Sequence, residues 1–182
     1  HVLLGEVAAA RDLFEQALQG LKRSQAYAPK ILCITGTNGK TTTTAWTAHL
    51  LRQAGMSAQT AGNIGPSLLD ALMQALDANT LPQVWVVELS SFQLHDAAQP
   101  PDCDAAAITN LTPDHLDWHG SGPAYAHAKR KVLNRARVGV FNADDAQVVS
   151  WEADVPQAIR VGVQTPQRAQ DVGLVTWQGH TW

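Results

Sequence analysis

Apolar and polar positions along the chain follow two alternating rhythms. Val7, Ala10, Leu13, Phe14, Ala17, Leu18 and Leu21 recur at steps of three and four, which predicts an amphipathic helix over about residues 6–22. Polar SQAYAPK follows, and Pro29 forbids the helix from continuing. From Lys30 onward, short apolar runs alternate with helical stretches. Ile31–Ile34, Val84–Val87, Ala105–Thr109 and Val138–Phe141 read as buried strands. Helices fit Lys40–Gln53, closed by Gly55, and Pro66–Ala78, with Leu68, Leu69, Leu72 and Leu76 as its apolar stripe. A third fits Gly122 to about Arg135, with Ser121 as its cap and Pro123 in its first turn. Weaker signals mark Ile159–Val163 and Gly173–Trp177 as short strands. Strands separated by helices need right-handed crossovers. The expected fold class is therefore α/β, a mainly parallel sheet flanked by helices with small extra strands near the C-terminus. There is no internal repeat, and the chain stops mid-pattern on GHTW, so a piece of a longer protein is expected.

Composition changes this picture little. The 182 residues suit one domain, and 45% hydrophobic against 16% charged residues exclude a disordered, highly charged chain. A net charge of −3 argues against a general nucleic-acid or polybasic membrane surface. No apolar run approaches the roughly 20 residues of a membrane span, and the start has no signal-peptide pattern. Cys33 lies in an apolar run and Cys103 in a polar turn, neither in a CxxC pair, which favours a reducing, cytoplasmic setting.

Chemistry enters with Gly36-Thr37-Asn38-Gly39-Lys40-Thr41, set between a strand and a helix. Glycines let backbone N–H groups turn inward, and the helix N-terminus adds partial positive charge for phosphate. Lys40 can then reach the β- and γ-phosphates, and the Thr41 hydroxyl can ligate Mg²⁺. The general phosphate-loop pattern wants a glycine five residues before Gly39, where Ile34 stands, so the motif is a GxxGKT variant; the alternative is a glycine turn capping an ordinary helix. Glu88 follows VWVV at the carboxyl end of a strand, where open α/β sheets bind ligands. It suits an Mg²⁺ ligand, since Mg²⁺ takes a few carboxylates with phosphates and water, or it is a solvated strand end. Ser90, Ser91 and Gln93 contact substrate or merely cap a turn. His115 and His119 stand four apart in LTPDHLDWHG, but Leu116 occupies the position where a zinc helix carries glutamate, so zinc is disfavoured. Lys129, by spacing alone, reads as an exposed snorkelling side chain, and Lys129-Arg130-Lys131 as a solvated face.

Several segments together resemble one family, the ATP-dependent Mur ligases of peptidoglycan synthesis. ITGTNGKTTT is similar to the phosphate loop that this family shares with folylpolyglutamate synthases, missing glycine included. AGNIG (61–65), VVELSSFQL (86–94) and NLTPDHLDWHG…AYAHAK (110–129) look like the branch that adds D-glutamate to UDP-N-acetylmuramoyl-L-alanine. The resemblance implies three domains, of which residues 1–182 are the central ATPase and residues 1–29 its lead-in helix and linker. It implies a cytoplasmic, ADP-forming ligase, a monomer, working through an acyl phosphate and inactive as this piece alone. Its substrates would be ATP, UDP-N-acetylmuramoyl-L-alanine and D-glutamate, with two Mg²⁺ ions. Lys40 and the amides of Gly36, Thr37, Asn38, Gly39, Thr41 and Thr42 would hold the phosphates. Thr41 and Glu88 would hold one metal, and His115 with a carbamylated Lys129 the second. Lys40, His115 and Lys129 are thus the expected catalytic set, while Asn63 and Ser90 would contact the uridine-linked substrate. Carbamylation requires a neutral amine, so a depressed Lys129 pKa is expected. No role is assigned to Asn142, Asp144 and Asp145. Competing readings are another Mur ligase, a folylpolyglutamate synthase, or a non-catalytic nucleotide-binding module.

Overall fold

The computed structural model describes residues 27–99, 102–178 and 180–181. The helix expected over residues 6–22 lies outside them. Six strands form one parallel sheet: β1 (Lys30–Thr35), β2 (Ala58–Gly62), β3 (Val84–Glu88), β4 (Cys103–Ile108), β5 (Ala136–Asn142) and β6 (Gln157–Val161). Their spatial order is β2-β3-β1-β4-β5-β6. The connections carry α1 (Lys40–Gln53), α2 (Leu68–Asp77), α3 (Ser91–Asp96), α4 (Leu116–His119), α5 (Gly122–Arg130) and α6 (Ala146–Val149). β1 lies between β3 and β4; the chain leaves β1 toward β2 but leaves the adjacent β4 toward β5, so these two neighbours send their connections in opposite directions. In open α/β sheets that point opens a crevice at the strands' carboxyl ends.

Apolar side chains on the two faces of the sheet build two clusters. Ile34, Ala48, Ala58, Val84 and Val86 pack under α1. Ile31, Cys33, Trp85, Val87, Leu94 and Leu133 belong to the larger cluster on the other face. Strands covered on both faces must be apolar throughout, which is why β3 is buried at every position. Among the described residues no helix is long and apolar enough to cross a membrane.

Several expected boundaries move for local reasons. α2 begins at Leu68, two residues after Pro66, because the Ser67 side chain accepts the Asp70 N–H as its cap. Its buried stripe is Leu68, Ala71, Leu72 and Ala75, and Leu76 is 44% exposed. The helix expected to reach Arg135 ends at Arg130 and tightens into a 3₁₀ turn over Lys131–Leu133. β6 runs from Gln157 to Val161, two residues earlier than expected at each end. The stretch Gly173–Trp177 pairs only at Thr176–Trp177, in a small antiparallel hairpin with His180–Thr181. Cys103 opens β4 and is buried, whereas a polar turn was expected. α1 matches its expected bounds, and Gly55 stands just past its end with φ +81°.

Candidate functional site

The site grows from the carboxyl end of β1. Ile34, where the general pattern has glycine, is a buried strand residue paired with Glu88 and Ala107. The strand therefore runs to Thr35, and the turn is compressed into Gly36–Gly39. Gly36 has φ +143°, and a Cβ there would strike the Thr109 hydroxyl, so only glycine fits. Gly39 takes φ +81° as the N-cap of α1, with no side-chain cap and no acidic residue in the first turn. The first helical return bond is Thr43 N–H to Gly39 O at 2.9 Å. The N–H groups of Gly39, Lys40, Thr41 and Thr42 thus precede the ladder, an arrangement suited to an anion.

Not every loop amide faces that way. Thr37 N–H donates to Asn110 O at 2.9 Å, and Asn38 N–H to Asn110 Oδ1 at 3.0 Å. Asn110 Nδ2 and Thr109 Oγ1 in turn donate to Asn38 O at 2.9 and 2.7 Å. The Thr37 hydroxyl bonds both the carbonyl and the N–H of Thr112 at 3.0 Å. The amides of Thr37 and Asn38, expected toward phosphate, are here bonded to Asn110 and lock the loop to the segment after β4. That segment is itself held by Asn142 Nδ2, which donates to Thr109 O (2.9 Å), and by Asp145 Oδ2, which accepts Leu111 N–H (2.7 Å). Asp145 also caps α6, and Asp144 Oδ2 accepts Val163 N–H.

Lys40 Nζ donates to the carbonyls of Gly36 (3.1 Å) and Thr37 (2.8 Å). Lys129, a surface residue by spacing alone and a site residue by the resemblance, is 2% exposed and donates to the same Gly36 carbonyl at 2.6 Å. The Tyr125 ring centroid lies 4.9 Å from its Nζ. Burial, reinforced by the charge of Lys40, brings the Lys129 pKa down to about 7. That is the direction a carbamate-forming amine needs. The other two members of the basic cluster are also committed: Arg130 pairs with Asp154, and Lys131 Nζ caps α3 through the carbonyls of Leu94, His95 and Ala97.

Glu88 ends β3 and is 3% exposed. Its Oε1 accepts Asn63 Nδ2 at 3.0 Å, while Asn63 N–H donates to its carbonyl at 2.9 Å. Asn63 thus orients the carboxylate. Gly62 permits the approach, because a Cβ there would run into the Glu88 carbonyl. Ser90 is the N-cap of α3 in a capping box with Gln93, so its hydroxyl is engaged locally. His115, at φ +50°, lies 3.4 Å from Asp114 and packs against Phe92 with ring centroids 4.8 Å apart.

The donors present fit magnesium in kind. The Thr41 hydroxyl has no partner among the described residues, and Glu88 keeps one carboxylate oxygen unpartnered among them. Hard oxygen donors of this type bind Mg²⁺ together with phosphate oxygens and water. No group of three His, Cys, Asp or Glu side chains gathers for a metal among the described residues. The structure therefore brings together Lys40 with Lys129 and Asn63 with Glu88, and gives His115 to Asp114 and Phe92. Residue spacing missed Thr109, Asn110, Tyr125, Asn142 and Asp145. For Tyr125 the signal existed, since it stands four residues before Lys129 on one helix face.

Comparison with known proteins supplies the family. The Mur ligase middle domain model matches residues 34–179. The chain is 49% identical over 183 residues to the UDP-N-acetylmuramoylalanine--D-glutamate ligase of Bordetella avium, covering 99% of this chain and 35% of that protein. The ligase of the same name from Ralstonia nicotianae is 48% identical over 171 residues, with 94% and 34% covered. The chain thus spans about a third of the length of the curated relatives it matches. Among solved structures, a UDP-N-acetylmuramoyl-L-alanyl-D-glutamate--2,6-diaminopimelate ligase superposes with TM-score 0.72 at 22% identity, covering 93% of this chain and 39% of that one. MurF from Thermotoga maritima in complex with ADP gives 0.64 at 16%, with 96% and 40% covered. E. coli FolC in complex with DHPP and ADP gives 0.58 at 16%, with 91% and 48% covered. Those three likenesses concern the fold alone. The compressed phosphate loop, the parallel sheet around it and the match over residues 34–179 agree, and the chain belongs to the Mur ligase family, whose middle domain it carries.

Proposed function

We propose that this chain is the ATP-handling middle domain of a ligase that joins D-glutamate to UDP-N-acetylmuramoyl-L-alanine, with residues 1–29 leading into the domain. The observation that carries this reading is 49% identity along nearly the whole chain to a ligase of that name. The alternatives, another Mur ligase or a folylpolyglutamate synthase, have support at the level of fold only. A non-catalytic nucleotide module leaves the buried pairing of Lys129 with the phosphate loop without a purpose.

In the proposed reaction the alanyl carboxylate oxygen bonds to the γ-phosphorus of ATP as the bridging bond to ADP breaks. The D-glutamate amine then attacks the acyl carbon, loses a proton, and expels phosphate through a tetrahedral intermediate. Lys40 leaves the carbonyls of Gly36 and Thr37 for phosphate oxygens, and the N–H groups of Gly39–Thr42 meet the same anion. Magnesium at Thr41 and Glu88, with a second ion at His115 and carbamylated Lys129, would neutralise charge as it gathers between carboxylate and phosphate. Asn63 keeps the Glu88 carboxylate in one orientation. Asn63, bonded to Glu88, and Ser90, two residues beyond it, both stand at this strand end, which supports their meeting the uridine-linked substrate. We read the enzyme as a cytoplasmic monomer, in keeping with substrates that include ATP.

A coupled assay on the whole ligase tests this. ADP should form only when ATP, UDP-N-acetylmuramoyl-L-alanine and D-glutamate are all present. ADP formation driven instead by diaminopimelate or by a folate with L-glutamate would overturn it.

A further inference from the structure

His119 is nine-tenths buried and stands outside the set of residues expected to act. Its ring sits among Phe92 (centroids 5.6 Å apart), Trp118 (4.5 Å), Tyr125 (5.3 Å) and His95 (5.7 Å). One polar contact leaves this aromatic box: Nε2 lies 3.0 Å from the Oγ of Ser91, which is 2% exposed. Nδ1 has no partner among the described residues. An orphaned lone pair costs less to bury than an orphaned N–H. The favoured tautomer therefore carries its proton on Nε2 and donates it to Ser91.

The position of this bond gives it meaning. Ser91 opens α3, directly after the short turn that follows Glu88, and Leu89 N–H anchors that turn to Ile34 O at 2.9 Å. His119 closes α4, whose N-cap is His115, and its own N–H returns to His115 O at 3.0 Å. The Ser91–His119 bond is thus a buried tie between the segment bearing Glu88 and the segment bearing His115. α4 is a single turn, too short to hold His115 in place by its own ladder.

We propose that His119 is a positioning residue, whose hydrogen bond to Ser91 fixes Glu88 relative to His115 and so sets the geometry offered to the divalent cations. The proposal rests on the ligase reading above and adds to it a residue that touches neither metal nor substrate.

The test uses the whole ligase with three variants. His119→Phe keeps a ring and removes the donor, His119→Gln restores an N–H at the place of Nε2, and Ser91→Ala removes the acceptor by one atom. Mn²⁺ binding in the presence of a non-hydrolysable ATP analogue is read by electron paramagnetic resonance, beside the Mg²⁺ dependence of ADP formation. In His119→Phe and Ser91→Ala, Mn²⁺ affinity should fall about tenfold or more, with the KM for D-glutamate unchanged. His119→Gln should stay close to the parent. Wild-type Mn²⁺ affinity in Ser91→Ala, or equal loss in the Gln and Phe variants, would overturn the tie. If His119→Phe fails to fold, the Ser91→Ala and His119→Gln pair decides alone. Failure of the ligase reading looks different, since the parent protein itself would then form no ADP with its three substrates.

Discussion

Lys40 and Lys129, 89 positions apart in the chain, donate to one and the same carbonyl, that of Gly36. Two ammonium groups on one oxygen repel each other, which is part of why Lys129 gives up its proton so readily. The arrangement makes the phosphate loop answer to a lysine that lies far outside its motif.

Replacing Lys40 by alanine should remove the fixed cation from the phosphates. ADP formation should fall by about a hundredfold or more. Substantial turnover in a coupled ADP assay would contradict the role.

Lys129 gives a pH signature. Its folded pKa of about 7 lies below the ordinary lysine value of 10.5, so between those two pH values the unfolded chain binds more protons than the folded one. This group therefore makes stability rise as pH rises from 7 towards 10. Urea denaturation of the parent and of Lys129→Met across that range should show the rise in the parent and a flatter profile in the variant.

The same lysine should be replaceable in part by chemistry in solution. Short carboxylates added to Lys129→Ala should raise turnover severalfold, because they supply the anion that a carbamate would provide. Absence of rescue at every concentration would remove the carbamate from the proposal and leave the fold untouched.

Two glycines should fail differently. Alanine at Gly36 adopts a disfavoured positive φ, at a cost of about 1–2 kcal/mol, and also meets the Thr109 side chain. Adding Thr109→Ala should relieve the steric share, with a coupling of about 1 kcal/mol in a double-mutant cycle. Alanine at Gly62 meets the Glu88 backbone carbonyl, which no side-chain substitution removes. Denaturation midpoints of the three variants and the double variant check the contrast.

How far these relationships were legible in the sequence depends on their range. Repeating local signals carried well: α1 was bounded correctly by the glycines on either side, and β1, β3, β4 and β5 followed from their apolar runs, whereas β2, with the sequence AQTAG, has no such run and was missed. Short elements were missed, because α3, α4 and α6 hold four to six residues and are specified by caps and long-range ties, with little periodicity of their own. The commitments of Thr37, Asn38 and Asn63 were hidden for a related reason. Thr37, Asn38 and Asn63 bond within a tertiary network that spacing along the chain does not encode, whereas the Ser90–Gln93 capping box is a local pattern that left cap and substrate contact equally open. Lys129 shows the limit most plainly: its residue type says surface, and it is a buried amine set against the Tyr125 ring and the Gly36 carbonyl.

Asn142 and Asp145 invite a different kind of conclusion, about how small such a machine can be made. They stand more than thirty positions beyond the backbone groups of Thr109 and Leu111 that they hold, and those groups begin the segment clasping Thr37 and Asn38. Removing Asp145 should cost about 2 kcal/mol, from a lost helix cap and a charge-assisted bond, and Asp145→Asn should keep most of it in a urea titration. A trimmed ATP-binding unit that ended after β4 would carry every residue of the glycine motif and still lack the frame that shapes it. On the proposed reading, the smallest cradle for phosphate in this architecture would extend at least through α6, to Val149.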